Sequence, residues 1–456
     1  MTIDTAEYRL PPGPKTPKLL NGVTFLVARN AMIKRLQRRY GDEVSIEMPG
    51  LGHMVLVSTP ELVKAVYTAK PDVLHAGKNP LGEVLGPGSL FSMDEERHLR
   101  ERRMLLPPFH GERMRSYEAI IEEEATRGMA GWADGVEFAS IESFQAITLR
   151  IVLRAVFGAE GRELAELEKL LPPMTTLGQK LVTVPIMRRD WGRRSPGARW
   201  KRMHARYLRL AHKLVDDHLA DPNLTERIDI LALMLRAQLE EGGEVDRAET
   251  ADELLTLLVA GHETTASALA WSVERLRRHP EVLRRLEGEA RGDDNALRLA
   301  TAEETLRVRP VINATARLVM KPFDLGPWRV PPGHRVVTGI ALMHRDDRFH
   351  APARAFEPDR YVGKKPDTYA WIPFGGGVRR CLGAAFAQFE IDVVLRTLLR
   401  NFELRPTNAP SEREGFRGVA FAPAKGGVAV VRRRALPLDE GVAVAAESEP
   451  APAAAP

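Results

Sequence analysis

The sequence predicts a mainly α-helical protein with a smaller β-rich lobe, and three observations carry that reading. Helical periodicity dominates residues 93–310 and returns over 382–402. Apolar and polar residues alternate at period two over 44–48 and 54–57, within a β-rich region near 44–70. Short strands and turns reappear over 310–345. With 456 residues and 44% hydrophobic content, the chain carries enough apolar material for a large core.

Taken in order, Leu10-Pro-Pro-Gly-Pro14 is a rigid extended lead-in, followed by a helical stretch over 28–40 and the two strand-like runs. Pro172-Pro173 and the stretch 191–196 are the clearest breaks in the helical middle. Residues 248–278 form one unbroken helical pattern, long for a globular protein. Turns such as Val330-Pro-Pro-Gly333 punctuate the later strands. The Ala/Pro/Glu-rich segment 437–456 is expected to be a disordered tail beyond a single folded unit over 1–436. There are no internal repeats.

Net charge is +5, yet Asp439, Glu440, Glu447 and Glu449 follow the last arginine, so the body is more basic still. A basic body favours an acidic redox protein or anionic lipid as partner. Nucleic acid is excluded as the reading, since no binding motif or aromatic-basic stripe accompanies the charge. A single cysteine excludes intramolecular disulfides and cysteine-ligated iron–sulfur clusters. The N-terminus has neither a basic-then-apolar leader nor ~20 consecutive apolar residues. The expectation is a cytoplasmic protein without a transmembrane anchor, its basic segments available to a membrane surface.

That cysteine, Cys381, closes the run Trp371-Ile-Pro-Phe-Gly-Gly-Gly-Val-Arg-Arg-Cys. Leu382, Phe386, Phe389 and Val393 follow at helical spacing, so Cys381 is expected at a helix N-terminus, where the dipole favours a thiolate. The glycines at 375–377 let backbone approach a flat ligand, and Arg379 is placed to pair with an anion on it. A lone cysteine is by default a small buried hydrophobe. Here Phe374, Gly377, Arg379, Cys381 and Gly383 reproduce the signature F-x-x-G-x-R-x-C-x-G, and the chain resembles the cytochrome P-450 superfamily of haem-thiolate monooxygenases, soluble bacterial type. The resemblance covers nearly the whole chain. It implies a triangular helical prism with haem b between the long central helix and the helix after the cysteine. Cys381 is the implied iron ligand, and Phe374, Gly375, Arg379 and Gly383 the implied cofactor contacts.

Within the long helix, Leu257, Gly261, Thr264, Ala268 and Trp271 share one face that is smallest at its centre. The Thr264 hydroxyl can bond back to the Ala260 carbonyl and distort the ladder there. The residues alone also allow a plainer reading, with Gly261 serving close helix packing and Glu263 facing solvent. By resemblance, Ala260-Gly261-His262-Glu263-Thr264-Thr265 is the oxygen-activation motif. It implies that Thr264 hydrogen-bonds dioxygen, Glu263 relays protons, Ala260 and Gly261 lie against the cofactor and His262 is structural.

Glu304 and Arg307 are three apart on a helical stretch that Pro310 ends, and as an exposed pair they contribute only ~0.3–0.5 kcal/mol. With Phe356-x-Pro358-x-Arg360 they resemble the superfamily's Glu-Arg-Arg cluster, which gives Glu304, Arg307 and Arg360 a structural role. His98 and Arg102 lie one helical turn apart, where the superfamily places haem-propionate contacts. Many relatives carry Trp where His98 stands. Arg317 occupies another such position; otherwise it is a solvated arginine.

The activity implied is insertion of one oxygen atom of dioxygen into a lipophilic molecule such as a fatty acid, steroid or terpenoid. The apolar segments 81–91, 170–186 and 257–264 are the expected pocket. A peroxide-driven peroxygenase on the same fold is one alternative, and a non-catalytic haem-based sensor or carrier another. No G-x-G-x-x-G fingerprint or flavin domain follows residue 402, so a separate ferredoxin and NAD(P)H-dependent ferredoxin reductase are implied. Arg97, Arg100 and Arg103, with Arg380, are a candidate docking surface on the cysteine side. A second basic cluster, Arg188 to Arg202, suits a substrate carboxylate or an anionic membrane. The protein is expected to be a monomer.

Overall fold

The computed structural model describes residues 8–77, 79–109, 111–242 and 244–435, so the tail expected at 437–456 lies outside the described residues. The first third comprises α1 (Lys18–Tyr40), β1 (Glu43–Met48), β2 (Gly52–Val57), α2 (Pro60–Tyr67), β3 (Leu74–His75), α3 (Pro80–Leu85), α4 (Glu95–Leu105) and α5 (Glu118–Met129). The helical bulk continues through β4 (Phe138–Ala139), α6 (Ser140–Ala155), α7 (Gly161–Thr183), α8 (Pro196–Ala220), α9 (Ile230–Glu240), α10 (Arg247–Leu276), α11 (Pro280–Glu289) and α12 (Ala296–Val308). Then come β5 (Thr315–Val319), β6 (Phe323–Leu325), β7 (Trp328–Val330), β8 (Arg335–Thr338), α13 (Ile340–His344) and α14 (Asp347–His350). The described chain closes with α15 (Ala384–Asn401), β9 (Phe402–Leu404), β10 (Glu414–Arg417), β11 (Ala420–Pro423), β12 (Val428–Ala429) and β13 (Val431–Arg433).

The two strand regions read separately from sequence meet in one five-stranded sheet, ordered β1-β2-β8-β5-β3. β2 and β8 pair in parallel, with Val55 opposite Val336, while the other neighbours are antiparallel. Their inward residues, including Val55, Val57 and Val336, pack with Val63 and Leu62 of α2 into a core separate from the helical one. The main core gathers around α10, whose Trp271 is fully buried and donates its indole N–H to the Phe421 carbonyl at 3.0 Å. Side-chain oxygens of Asn79, Ser195, Asp229 and Asp246 cap the first turns of α3, α8, α9 and α10, which fixes where those helices begin.

Three expectations change. The first helix starts ten residues before 28, at Lys18, and bends at Ala28, where φ is −139°. Its first half carries Leu19, Leu20, Val23 and Val27 on an exposed face, so burial in a core does not mark it as helix. Pro172-Pro173 do not break the chain but lie inside α7. Both prolines are exposed while Leu170, Leu171 and Met174 are buried, so the donors are lost on the solvent side and the apolar face holds the turn together. The break over 191–196 does separate α7 from α8.

The third change concerns Glu304 and Arg307, which are fully buried rather than an exposed pair. Arg307 makes a two-pronged contact to Glu304, with Nε and Nη2 each at 2.7 Å. It also donates to the carbonyls of His344, Ala353 and Ala355, each at 2.8 Å. Glu304 accepts the Glu357 N–H at 2.9 Å and lies 3.7 Å from Arg360 Nε. A second buried knot, unseen in the sequence, joins Arg298 of α12 to Asp392 of α15 at 2.7 Å and Glu289 of α11 at 3.2 Å.

Two predictions follow from these burials. Arg307→Ala strands a buried carboxylate and three carbonyls, and is expected to cost about 3–5 kcal/mol in urea unfolding of the holoprotein; a loss below about 1 kcal/mol would contradict a buried network. Burial also pushes the carboxyls of Glu253 and Glu390 up to about 8 from 4.5, so the folded state holds protons that the unfolded state releases, and stability falls as pH rises through 8. His98 and His262, pushed down to about 4 from 6.5, change the other way but only below pH 6.5. The decline in urea midpoint between pH 6.5 and 8 should therefore flatten in a Glu253→Gln/Glu390→Gln variant; an unchanged slope would refute the assignment.

Candidate active site

Between residues 250 and 276, α10 is buried at every position except Leu257, Val259, Ala260, Gly261, Glu263 and Thr264. A window of accessibility in an otherwise buried helix marks a wall facing open space. Thr264 donates its hydroxyl to the Ala260 carbonyl at 2.5 Å, as its position in the sequence suggests. A Cβ added to Gly261 would meet only Val152, at an ordinary 3.6 Å, so helix packing does not demand glycine there. His262 is buried, held through Nδ1 3.0 Å from the Thr148 hydroxyl, which in turn donates to the His262 carbonyl at 3.1 Å.

Glu263 does not project freely into solvent. Its two oxygens accept from Gln145 Nε2 of α6 at 2.7 Å and Arg417 Nε of β10 at 2.9 Å. Arg417 is itself substantially exposed, so the pair connects the buried flank of α10 to the surface.

Cys381 precedes α15 by three residues instead of occupying its first turn, because Gly383 is the cap and the Cys381 N–H is drawn to the Phe374 carbonyl at 2.9 Å. The residue is accessible, yet protein surrounds it closely enough that burial pushes the thiol pKa above its ordinary value. The Gly383 N–H and the charges of Arg102 and Arg380 pull in the opposite direction without prevailing. A cation bound to the sulfur would oppose that burial and favour the thiolate.

The three glycines also divide their work. Gly375 sits at φ +66° with room beside Thr315, whereas a Cβ on Gly376 or Gly377 would fall 2.1 Å from the ring or carbonyl of Tyr67. Those two serve packing against α2, not approach to a flat ligand. Phe374 stacks edge-on to Trp371, whose indole donates to the Glu303 carbonyl, and Gly383 lies near Phe109.

Beside the sulfur, His98 and Arg102 of α4, Arg317 of β5 and Arg379 of the cysteine loop converge, close enough that the arginine charges lower the His98 pKa after burial does so, to about 4. Arg379, pushed down to about 10 by burial, donates to the Leu90 carbonyl at 3.3 Å and to Met93 and Asp94. Arg317 donates to the Ala316 carbonyl at 2.9 Å and is largely enclosed rather than solvated. Three guanidiniums against the single carboxylate of Asp94 leave a half-buried cationic cradle suited to a multiply anionic ligand. An accessible sulfur, a bare stretch of helix and this cradle together fit haem with its two propionates.

Not every basic residue joins this site. Arg97 pairs with Glu249 at 2.8 Å and Arg100 with Glu241 at 2.7 Å, while Arg103 turns to the Leu99 carbonyl, so part of the positive charge expected there is already met by acids, though all three side chains are exposed. Their partners on α10 and beyond α9 are distant in sequence and could not be read from it.

Several residues near the site do not stand out in the sequence. Asp252 and Glu253 of α10 accept the N–H groups of Gly88 at 3.0 Å and Leu90 at 2.8 Å, and Thr256 donates to Ser89 at 2.7 Å. They pin the 88–90 segment over the α10 window. Glu390 of α15 is fully buried beside Thr265. The available signal was an acid interrupting an apolar helical face, at 252–253 and again at 390.

Comparison with known proteins places this geometry. The family model described as Cytochrome P450 matches residues 11–430. A Mycobacterium tuberculosis protein with the provisional name cytochrome P450 138 is 47% identical over 428 residues, covering 93% of this chain and 97% of the relative. Another from that organism, provisionally cytochrome P450 135B1, is 37% identical over 432 residues, covering 92% and 91%. Among solved structures, retinoic acid-bound cyanobacterial CYP120A1 superposes with a TM-score of 0.81 at 21% identity, covering 94% of this chain and all of that one. The haem domain of cytochrome P450DA gives 0.81 at 21%, covering 94% and 98%; both likenesses concern the fold. The chain belongs to the cytochrome P450 family, monooxygenases that hold haem b through a cysteine thiolate and use dioxygen.

Proposed function

We propose that Cys381 is the iron ligand, that His98, Arg102, Arg317 and Arg379 receive the propionates, and that Glu263 and Thr264 handle protons on the opposite face. The supporting observation is the accessible window between Leu257 and Thr264 in the otherwise buried stretch 250–276 of α10, where the Thr264 hydroxyl bonds back to the Ala260 carbonyl. Residues 11–430, the span matched by the family, act as one catalytic unit in this reading, and the protein is read as a monomer.

When bound, haem b supplies the activation of dioxygen and the oxidising power that attacks an unactivated C–H or C=C bond. The protein's part is binding, orientation and proton supply. Cys381 is held by its own N–H on Phe374, while the Gly383 N–H and the nearby charges of Arg102 and Arg380 moderate the sulfur. Thr264 keeps its proton on the Ala260 carbonyl until a stronger acceptor occupies the window. Glu263, released from Gln145 by a rotation about its side chain, carries a proton inward from the solvent-exposed side of Arg417.

Leu81, Leu90, Phe91, Leu257 and Val259 are partly buried apolar side chains around this window, which supports a lipophilic substrate. Electrons would come from a separate ferredoxin and its reductase. With Arg97 and Arg100 engaged elsewhere, exposed Arg380 and Val378 beside the cysteine are the better-supported docking point. Retention of both Glu263 and Thr264 favours dioxygen over peroxide as oxidant, and membership of a monooxygenase family sets aside the sensor or carrier reading.

Two measurements test these roles. The reduced carbon monoxide difference spectrum should show the red-shifted Soret band of thiolate ligation and lose it in Cys381→Ser; persistence of that band in the variant would remove Cys381 as ligand. Thr264→Ala should retain haem and substrate binding while at least half of the reducing equivalents, roughly, are diverted to hydrogen peroxide. Coupling that matches the wild type would show that Thr264 has no part in proton supply.

A further inference from the structure

We propose that the face formed by the first half of α1, the β10–β11 hairpin and the α7–α8 connection docks on a lipid bilayer that carries anionic phospholipid. The first half of α1 is inside out. Leu19, Leu20, Val23 and Val27 face solvent, with Val27 82% and Leu19 71% exposed, while Asn21 is buried and donates to the Glu47 carbonyl at 3.0 Å. Gly22 lies against Pro49 and Phe25 packs on the cluster of Met32 and Leu36, so the helix rests on that side and leaves the stripe of Leu19, Leu20, Val23 and Val27 outside. An amphipathic helix that turns its apolar stripe outward has no stable place in water but suits the boundary between headgroups and acyl chains.

Two contacts make the three segments one surface. The Arg29 guanidinium lies 4.3 Å from the ring centres of both Phe25 on α1 and Phe416 on β10. At the hairpin turn, a Cβ on Gly418 would fall 2.7 Å from the Gln179 side chain, which sets the turn against the C-terminal half of α7. Five residues beyond Gln179 the chain exposes Val184, then Ile186, then Trp191 at 63%, and Phe416 is exposed on the hairpin between. Trp and branched aliphatic side chains of this kind anchor at membrane interfaces.

Charge selects the lipid. Arg193, Arg194, Arg199 and Arg202 line one concavity of about 430 Å³, and among the described residues none has a carboxylate in ion-pair range. Their neighbours Arg188 and Lys201 are neutralised by Glu83 and Asp190. Four unneutralised guanidiniums held together repel one another, and an array of phosphates relieves that repulsion. An apolar stripe beside them would stay exposed on a soluble polyanion, so a bilayer satisfies both halves of the face at once.

The test is co-sedimentation of the holoenzyme with vesicles of phosphatidylcholine alone and of phosphatidylcholine with one-third phosphatidylglycerol, at physiological ionic strength. Strong binding is expected only to the anionic vesicles. Arg193→Ser/Arg194→Ser should lower the partition coefficient about 30-fold and Trp191→Ser or Val27→Asp about tenfold, each with an unchanged haem spectrum. Absence of binding to anionic vesicles, or binding that none of these substitutions weakens, would overturn the proposal. So would self-association in sedimentation velocity that the same substitutions abolish, which would give the face to a second copy.

Discussion

The position of Cys381 depends on one buried guanidinium. Between α14 and α15 the chain runs for more than thirty residues with only short turns, at a backbone ordering cost of about 1–2 kcal/mol per residue. Such a segment cannot hold a metal ligand by its own propensity. Arg307 gathers the carbonyls of residues 353 and 355, and Glu304 takes the N–H of Glu357, so α12 grips the segment at three points, while a further Arg307 contact holds the His344 carbonyl at the end of α13. The grip passes onward through His344 Nε2, which accepts the Ile372 N–H at 2.9 Å, and through the Phe374 carbonyl, which takes the Cys381 N–H. Each link fixes the next, and the sulfur is the last of them.

The opposite wall obeys a different constraint. α10 must stay straight and buried to carry the core, yet open over barely two turns to leave reaction space. Polar side chains reconcile the two demands: Thr148 holds the His262 end from α6, Gln145 and Arg417 hold Glu263, and Asp252 with Glu253 anchor the 88–90 segment above the opening. Because these partners sit beside the window, the opening keeps its apolar side chains and the Thr264 hydroxyl, which is held only by its own helix at the Ala260 carbonyl. Distal chemistry and helix stability are thereby separated by less than a turn of the same helix.

Legibility followed the range of each interaction. Spacing within a helix was enough to place Thr264 on the Ala260 carbonyl, to put Glu304 beside Arg307 and to set His98 one turn from Arg102. It could not say that Glu304 and Arg307 are buried, because the carbonyls they meet lie 37 to 48 residues away. Three glycines in a row read as one device, but only Tyr67, three hundred residues earlier, reveals that Gly376 and Gly377 serve packing. Arg97 and Arg100 read as unmet positive charge for the same reason: their acid partners are more than a hundred residues downstream. Prolines 172 and 173 misled because a sequence shows the lost donors and not the solvent-facing side on which they were lost.

Net charge, the most visible electrostatic property of the chain, turns out to say least. A value of +5 merges arginines with three fates: partly buried around the cysteine as a cradle for an anion, spent on acids as at Arg97 and Arg100, or, as at Arg193 and Arg194, without a carboxylate partner among the described residues. The first group is costly to bury and is justified only by a ligand that brings negative charge with it. The second is neutral to stability within about 1 kcal/mol and fixes helix contacts. The third stabilises nothing in the isolated chain. Cations that repel one another in the free protein and are released from that repulsion by a partner carry information about the partner, whereas cations already paired carry information only about the fold.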